Sequence, residues 1–114
     1  MGSDKITTIQ DLRDLVQAFV IERDWEKYHT PKNLALSIAI EAAEIMEHFQ
    51  WLTQEESTSS IQDPEQCRLV EDELADVLIY CFALANQAGI DISSAIRSKL
   101  SRNEGRYPVG YMPT

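Results

Sequence analysis

The sequence predicts an all-α protein, a four-helix bundle completed by oligomerisation. Three observations carry that expectation. Apolar residues recur at helical spacing, as at Ile9, Leu12, Val16, Phe19 and Val20, the repeat of a single buried helix face. A helix-start signal stands ahead of each apolar run: Thr8, Thr30-Pro31, Asp63-Pro64 and Asp91, each a good N-cap residue and two of them followed by proline at the first helical position. No run alternates cleanly enough between apolar and polar residues to read as a strand.

The elements follow in order. Residues 1–7 are expected to fray. Thr8 caps the first helix, with Asp11 in its first turn, and the helix ends near Asp24. Residues 25–30, WEKYHT, form a short aromatic connection, with Trp25 and Tyr28 either packed over the core or facing a ligand. Thr30-Pro31 starts a second helix that runs to about Leu52. Residues 53–62, TQEESTSSIQ, are polar and without periodicity and read as a mobile loop. Asp63, Pro64 and Gln66 start a third helix, which runs to Ala88 and stops at Gly89. Its second half, VLIYCFALA, is apolar nearly all the way round. A helix of that kind is buried on several sides, and in so small a chain that implies burial against another subunit. Asp91 caps a fourth helix to about Asn103, with Gly105 as its stop, and the tail RYPVGYMPT is expected to be extended.

Bulk properties narrow the function classes. A chain of 114 residues, 44% hydrophobic and 25% charged, suits one globular domain, 1–114, with its own core. The net charge of −9 argues against non-specific nucleic-acid binding. It leaves room for a phosphate ligand, because a bound divalent cation reverses the local sign. No apolar run reaches the roughly 18–20 residues of a membrane span, and residues 1–8 show no signal-peptide core. Gly2 does not fit a myristoylation site, since Ile6 stands where Ser or Thr is required; residues 1–3 also resemble a cloning remnant. Cys67 and Cys81, on one helix, would be about 21 Å apart, too far for a disulfide. Reduced cysteines fit a cytoplasmic protein.

Two stretches carry the chemistry. LSIAIEAAEIM, residues 36–46, holds Glu41 and Glu44; ELADVLIYCFAL, residues 73–84, holds Glu73 and Asp76. Each pair is spaced i, i+3, which puts both acids on one helix face. Their neighbours are mostly alanine, isoleucine, leucine and valine, and carboxylates rarely enter such surroundings unless paired or metal-bound. Two antiparallel helices would place all four acids around one small volume. Mg²⁺ accepts oxygen donors of this kind and shares its remaining positions with water and substrate phosphates. Such ions activate water toward phosphorus and bridge leaving phosphates. A basic strip, Arg97, Lys99, Arg102 and Arg106, holds four of the ten lysines and arginines. It suits either the rest of a triphosphate or a plain solvated face. A di-iron centre is disfavoured, because that site requires Glu-x-x-His on two helices and neither pattern is present. The bland alternative is a non-catalytic helical interaction or oligomerisation module whose acids lie half-exposed.

At these residues the sequence resembles a known family. Glu41-x-x-Glu44 followed by Glu73-x-x-Asp76 resembles the ExxE…ExxD signature of the MazG-like all-α nucleoside triphosphate pyrophosphohydrolases. ERDWEKYHTPKNLA, EHFQWL, ELADVLIY and KLSRNEGRYPV look like segments of the dCTP pyrophosphatase branch, in its order, over residues 12–109. The resemblance implies hydrolysis of a (deoxy)nucleoside triphosphate to monophosphate and pyrophosphate, in the service of cleansing the nucleotide pool. It implies Glu41, Glu44, Glu73 and Asp76 as ligands of Mg²⁺, with Mn²⁺ as a substitute. It implies Trp25 and Trp51 as aromatics lining the nucleotide pocket, Asn33 near that pocket, and Lys99, Asn103, Arg106 and Tyr107 as contacts to phosphates and sugar. It also implies a tight dimer pairing into a tetramer, with pockets built by more than one chain. The vertebrate dCTP enzymes carry a histidine near the base on the first helix; here residues 15–19 have none and Val16 stands there, so the base preference is open.

Overall fold

The computed structural model describes residues 3–113. Gly2 and the first residues of the suspected cloning remnant therefore lie outside the described residues. The described chain is all-helical, with five helices: α1 (Ile9–Glu22), α2 (Pro31–Glu47), α3 (Gln54–Ser60), α4 (Pro64–Ala88) and α5 (Ile92–Arg106), plus a single 3-10 turn, Glu26–Tyr28. α2 and α4 form the central pair and α1 packs on α4.

Capping chemistry sets the boundaries. Thr8 and Asp11 exchange side-chain-to-backbone hydrogen bonds at the start of α1, a capping box that satisfies two otherwise orphaned N–H groups. α1 ends at Glu22 with Arg23 as its cap, and Asp24 just beyond adopts a left-handed conformation (φ 54°). There the Trp25 N–H donates back to the Val20 carbonyl at 3.0 Å, a helix stop usually made by glycine or asparagine. Thr30 caps α2, with Pro31 in its first turn, and Asp63-Pro64 opens α4 in the same way. Gly89 closes α4 in the left-handed region (φ 66°), where a side chain would be strained. Asp91 then caps α5 by accepting from the Ser94 N–H at 2.8 Å.

Five expectations from the sequence are corrected by the structure. Residues 53–62 are not a loop: Thr53 and Glu56 form a capping box that starts α3, so the described chain has five helices rather than four. α2 stops at Glu47, short of Leu52, because the chain tightens into turns there: the N–H groups of His48, Phe49 and Leu52 reach back three residues, to Ile45, Met46 and Phe49, and only that of Gln50 still reaches back four, to Met46. α5 runs through Gly105 to Arg106. Glycine in mid-helix costs only about 1 kcal/mol. The actual stop is Pro108, which pushes Tyr107 out of the helical region (φ −127°, ψ 75°). Finally, residues 3–7 make a turn in which the Ile6 and Thr7 N–H groups both donate to the Ser3 carbonyl, and the tail folds at Gly110 (φ 94°), with Tyr111 N–H donating to Pro108.

The core within one chain is small. Val20, Leu34, Phe82, Ala83 and Ala85 are its buried apolar residues among those described. Leu36, Ile40, Leu74, Leu78 and Ile79, from the central pair, remain about half exposed. The accessible surface is 9083 Å², whereas a self-contained monomer of 13.0 kDa exposes about 6,300 Å². The radius of gyration, 16.8 Å, likewise exceeds the roughly 13 Å of a compact domain of about this length. Among the described residues, no single helix is long and apolar enough to cross a membrane.

Candidate metal and phosphate site

The antiparallel pair α2/α4 determines what the acids do. Glu41 and Glu44 lie one turn apart on α2, and Glu73 and Asp76 one turn apart on α4. The structure brings carboxylate oxygens of Glu41, Glu73 and Asp76 within 4.8 Å of one another. Glu44 is outside that group of three but near enough for its charge to raise both the Glu41 and the Glu73 carboxyl. All four side chains are partly buried.

The electrostatics of this cluster are strained. Burial raises the Glu41 carboxyl, the neighbouring Glu44 and Asp76 charges raise it further, and Glu73 partly offsets them. Glu73 is pushed up to about 7, first by its hydrogen bond with Glu44, then by burial and by the charges of Glu44, Glu41 and Asp76. Like charges crowded into one pocket disfavour one another's ionised forms. Among the described residues no lysine, arginine or histidine lies within ion-pair distance of these acids; the ion pairs are Arg23–Glu22 and Lys27–Asp24. The Oε2 atoms of Glu41 and Glu73 are buried without a hydrogen-bond partner. Buried polar atoms are nearly always satisfied, so two orphaned carboxylate oxygens facing a third acid fit a hard cation. An all-oxygen set suits Mg²⁺ or Mn²⁺ rather than a softer metal.

The other expected site residues are dispersed. Trp25 is 43% exposed and meets Phe19 edge-on, ring centroids 5.7 Å apart. The Arg23 guanidinium also stacks on Phe19, 3.6 Å from its ring centroid. Trp51, in the turn between α2 and α3, is 86% exposed. Asn33 has a structural contact: its amide donates to the Tyr28 carbonyl at 3.0 Å, pinning the 3-10 turn to the start of α2. Lys99, Asn103 and Arg106 sit on α5, which carries no buried residue and leaves α4 at an angle of 101°. Tyr107 follows directly, with its ring 5.1 Å from that of Tyr111. None of these α5 side chains hydrogen-bonds or ion-pairs with the four acids within the described chain.

One constellation escaped the sequence reading. Arg13 Nε donates to Asn86 Oδ1 at 2.9 Å, Asn86 Nδ2 donates to the Arg13 carbonyl at 3.1 Å, and Arg13 also donates to the Ile90 carbonyl at 2.6 Å. The available signal was an arginine within the apolar stripe of α1 and an asparagine closing the apolar run of α4.

Fold and site together define a class: an all-helical protein whose central helix pair presents a carboxylate centre suited to a hard divalent cation. The model of the MazG-like family matches residues 36–111, and the chain belongs to that family. It is 41% identical over 102 residues to dCTP pyrophosphatase 1 of Rattus norvegicus, a match covering 90% of this chain and 60% of the relative. It is 42% identical over 101 residues to dCTP pyrophosphatase 1 of Homo sapiens, covering 89% of this chain and 59% of the relative. The chain thus spans about 60% of the length of these curated relatives. Among solved structures it is similar to a pyrophosphatase from Archaeoglobus fulgidus, with a TM-score of 0.84 and 39% identity, covering 95% of this chain and 99% of that one.

Proposed function

We propose that the protein is a Mg²⁺-dependent hydrolase that cleaves (deoxy)nucleoside triphosphates to the monophosphate and pyrophosphate, and that it works as a cytoplasmic homo-oligomer in cleansing the nucleotide pool. One observation carries this reading: Glu41, Glu73 and Asp76 converge with two orphaned buried oxygens. The 41% identity to dCTP pyrophosphatases supports placing that group in phosphoanhydride chemistry.

Glu41, Glu44, Glu73 and Asp76 would hold the ion. When bound, Mg²⁺ supplies neutralisation of the phosphate charge and activation of water for attack on phosphorus. The chain's own groups do the rest. The α2/α4 pair holds the acids on rigid elements, so their oxygens need little reorganisation. Lys99 and Arg106 offer positive charge to the outer phosphates, with Asn103 and Tyr107 for sugar and phosphate contacts. Trp25 and Trp51 offer exposed π-surfaces to the base, with Asn33 fixing the turn that carries Tyr28 next to Trp25. Residues 15–19 of α1 carry no histidine, so dCTP is one candidate among several. The dispersal of the α5 and tryptophan groups away from the acids favours pockets shared between subunits. The large exposed apolar surface of the central pair favours the same assembly.

The test is pyrophosphate release from all standard and several modified dNTPs with Mg²⁺. Release from at least one of them, abolished by chelation, is the expected result. A folded protein that cleaves none would be the non-catalytic helical module instead.

A further inference from the structure

We infer that Arg13 is a positioning residue for the phosphate-contacting helix α5, an inference that rests on the triphosphate reading above. The observation is the clasp at the corner between α4 and α5. The Arg13 guanidinium bridges Asn86, in the last turn of α4, and the carbonyl of Ile90. Ile90 stands between Gly89, the left-handed stop of α4, and Asp91, the cap of α5. Asn86 answers by donating to the Arg13 backbone, so the contact is reciprocal and ties α1 both to the end of α4 and to the linker that leads into α5.

Two features give the clasp its leverage. α4 has no basic residue in its own last turn, and Arg13 supplies the cation that the negative end of a helix dipole favours. α5 buries nothing within the chain, so within one subunit the corner at residues 89–91 and the clasp set its direction. Lys99 and Arg106 lie about 12 and 22 Å along the axis from Asp91. A tilt of about 10° at the corner therefore moves them by about 2 and 4 Å, enough to break a charge-assisted contact of about 2.8 Å. The acids are spared, because Asp76 lies about 20 Å back along α4.

The experiment is a double-mutant cycle on the full chain, read by calorimetry with an α,β-imido deoxynucleoside triphosphate and, separately, with Mg²⁺ alone. Arg13→Met and Asn86→Ala should each weaken nucleotide binding about five- to tenfold and leave Mg²⁺ affinity within twofold. Arg13→Lys, which keeps a charge but not the fork, should restore part of the loss. Adding Lys99→Ala to Arg13→Met should cost little more than Arg13→Met alone, since a displaced lysine has nothing left to lose. Multiplicative losses in the double variant, or unchanged affinity in Arg13→Met, would overturn the inference. Should Arg13→Met fail to fold, Asn86→Ala with Lys99→Ala completes the same cycle. Wild-type protein that binds the analogue but hydrolyses no dNTP would sink the catalytic reading alone, with the cycle still deciding the role of Arg13; wild-type protein that does not bind it would overturn both.

Discussion

Glu41, Glu44, Glu73 and Asp76 lie in alanine-, isoleucine- and leucine-rich runs, where an ionised side chain needs a partner. Their spacing located the partners on two helices. The contacts of Asn33 with Tyr28 and of Arg13 with Asn86 were illegible, because single polar residues far apart in sequence carry no periodic signal. The crowding of the acids has a pH signature. The Glu73 carboxyl rises from 4.5 to about 7 in the folded chain. Between those values the folded state binds protons that the unfolded state has released. This group's contribution to metal-free stability is therefore fully present below pH 4.5 and lost as pH rises through about 7. Cation binding runs the other way, since ligands must be deprotonated. Thermal melts at pH 5.5 and 8 should show a larger Mg²⁺-induced rise in Tm at pH 8. An equal rise at both would remove Glu73 from the ligand set.

Helices α1, α2 and α4 were legible because apolar spacing and start signals agreed, at Thr8, Thr30-Pro31 and Asp63-Pro64. α3 was not, although Thr53 and Glu56 have capping-box spacing, because its serines and threonines lack an apolar stripe to give the box a helix to start. The end of α5 was misplaced because Gly105 looked like a stop, while the restraint came from Pro108. α5 carries the basic residues on an element with no buried side chain, which favours a binding role over a packing one. Lys99→Ala and Arg106→Ala should each weaken triphosphate binding, by up to about 1.5–3 kcal/mol for a lost charged hydrogen bond and toward the lower end for groups this exposed. Mg²⁺ affinity should stay unchanged. Calorimetry that finds nucleotide affinity intact would return both residues to a solvated face.

At the scale of the molecule, a surface of 9083 Å² on a chain that should expose about 6,300 Å² leaves about 2,800 Å² per subunit in excess. That is the magnitude of an obligate interface. The apolar run of α4 points the same way, without saying which face would meet which. Sedimentation at micromolar concentration should give a dimer or tetramer; a folded 13.0 kDa species would contradict it. The role proposed for the four acids is to hold a divalent cation for phosphoanhydride cleavage. Its most direct test is pyrophosphate release from dNTPs at saturating Mg²⁺ by the wild type beside Glu41→Gln and Asp76→Asn. Losing an outer-shell partner of a metal site already costs about 10–100-fold, so loss of a ligand should lower turnover at least a hundredfold. Both variants should keep or gain metal-free stability, because each relieves like-charge repulsion. Near wild-type turnover in either variant, folded and saturated with Mg²⁺, would contradict the assignment of the site.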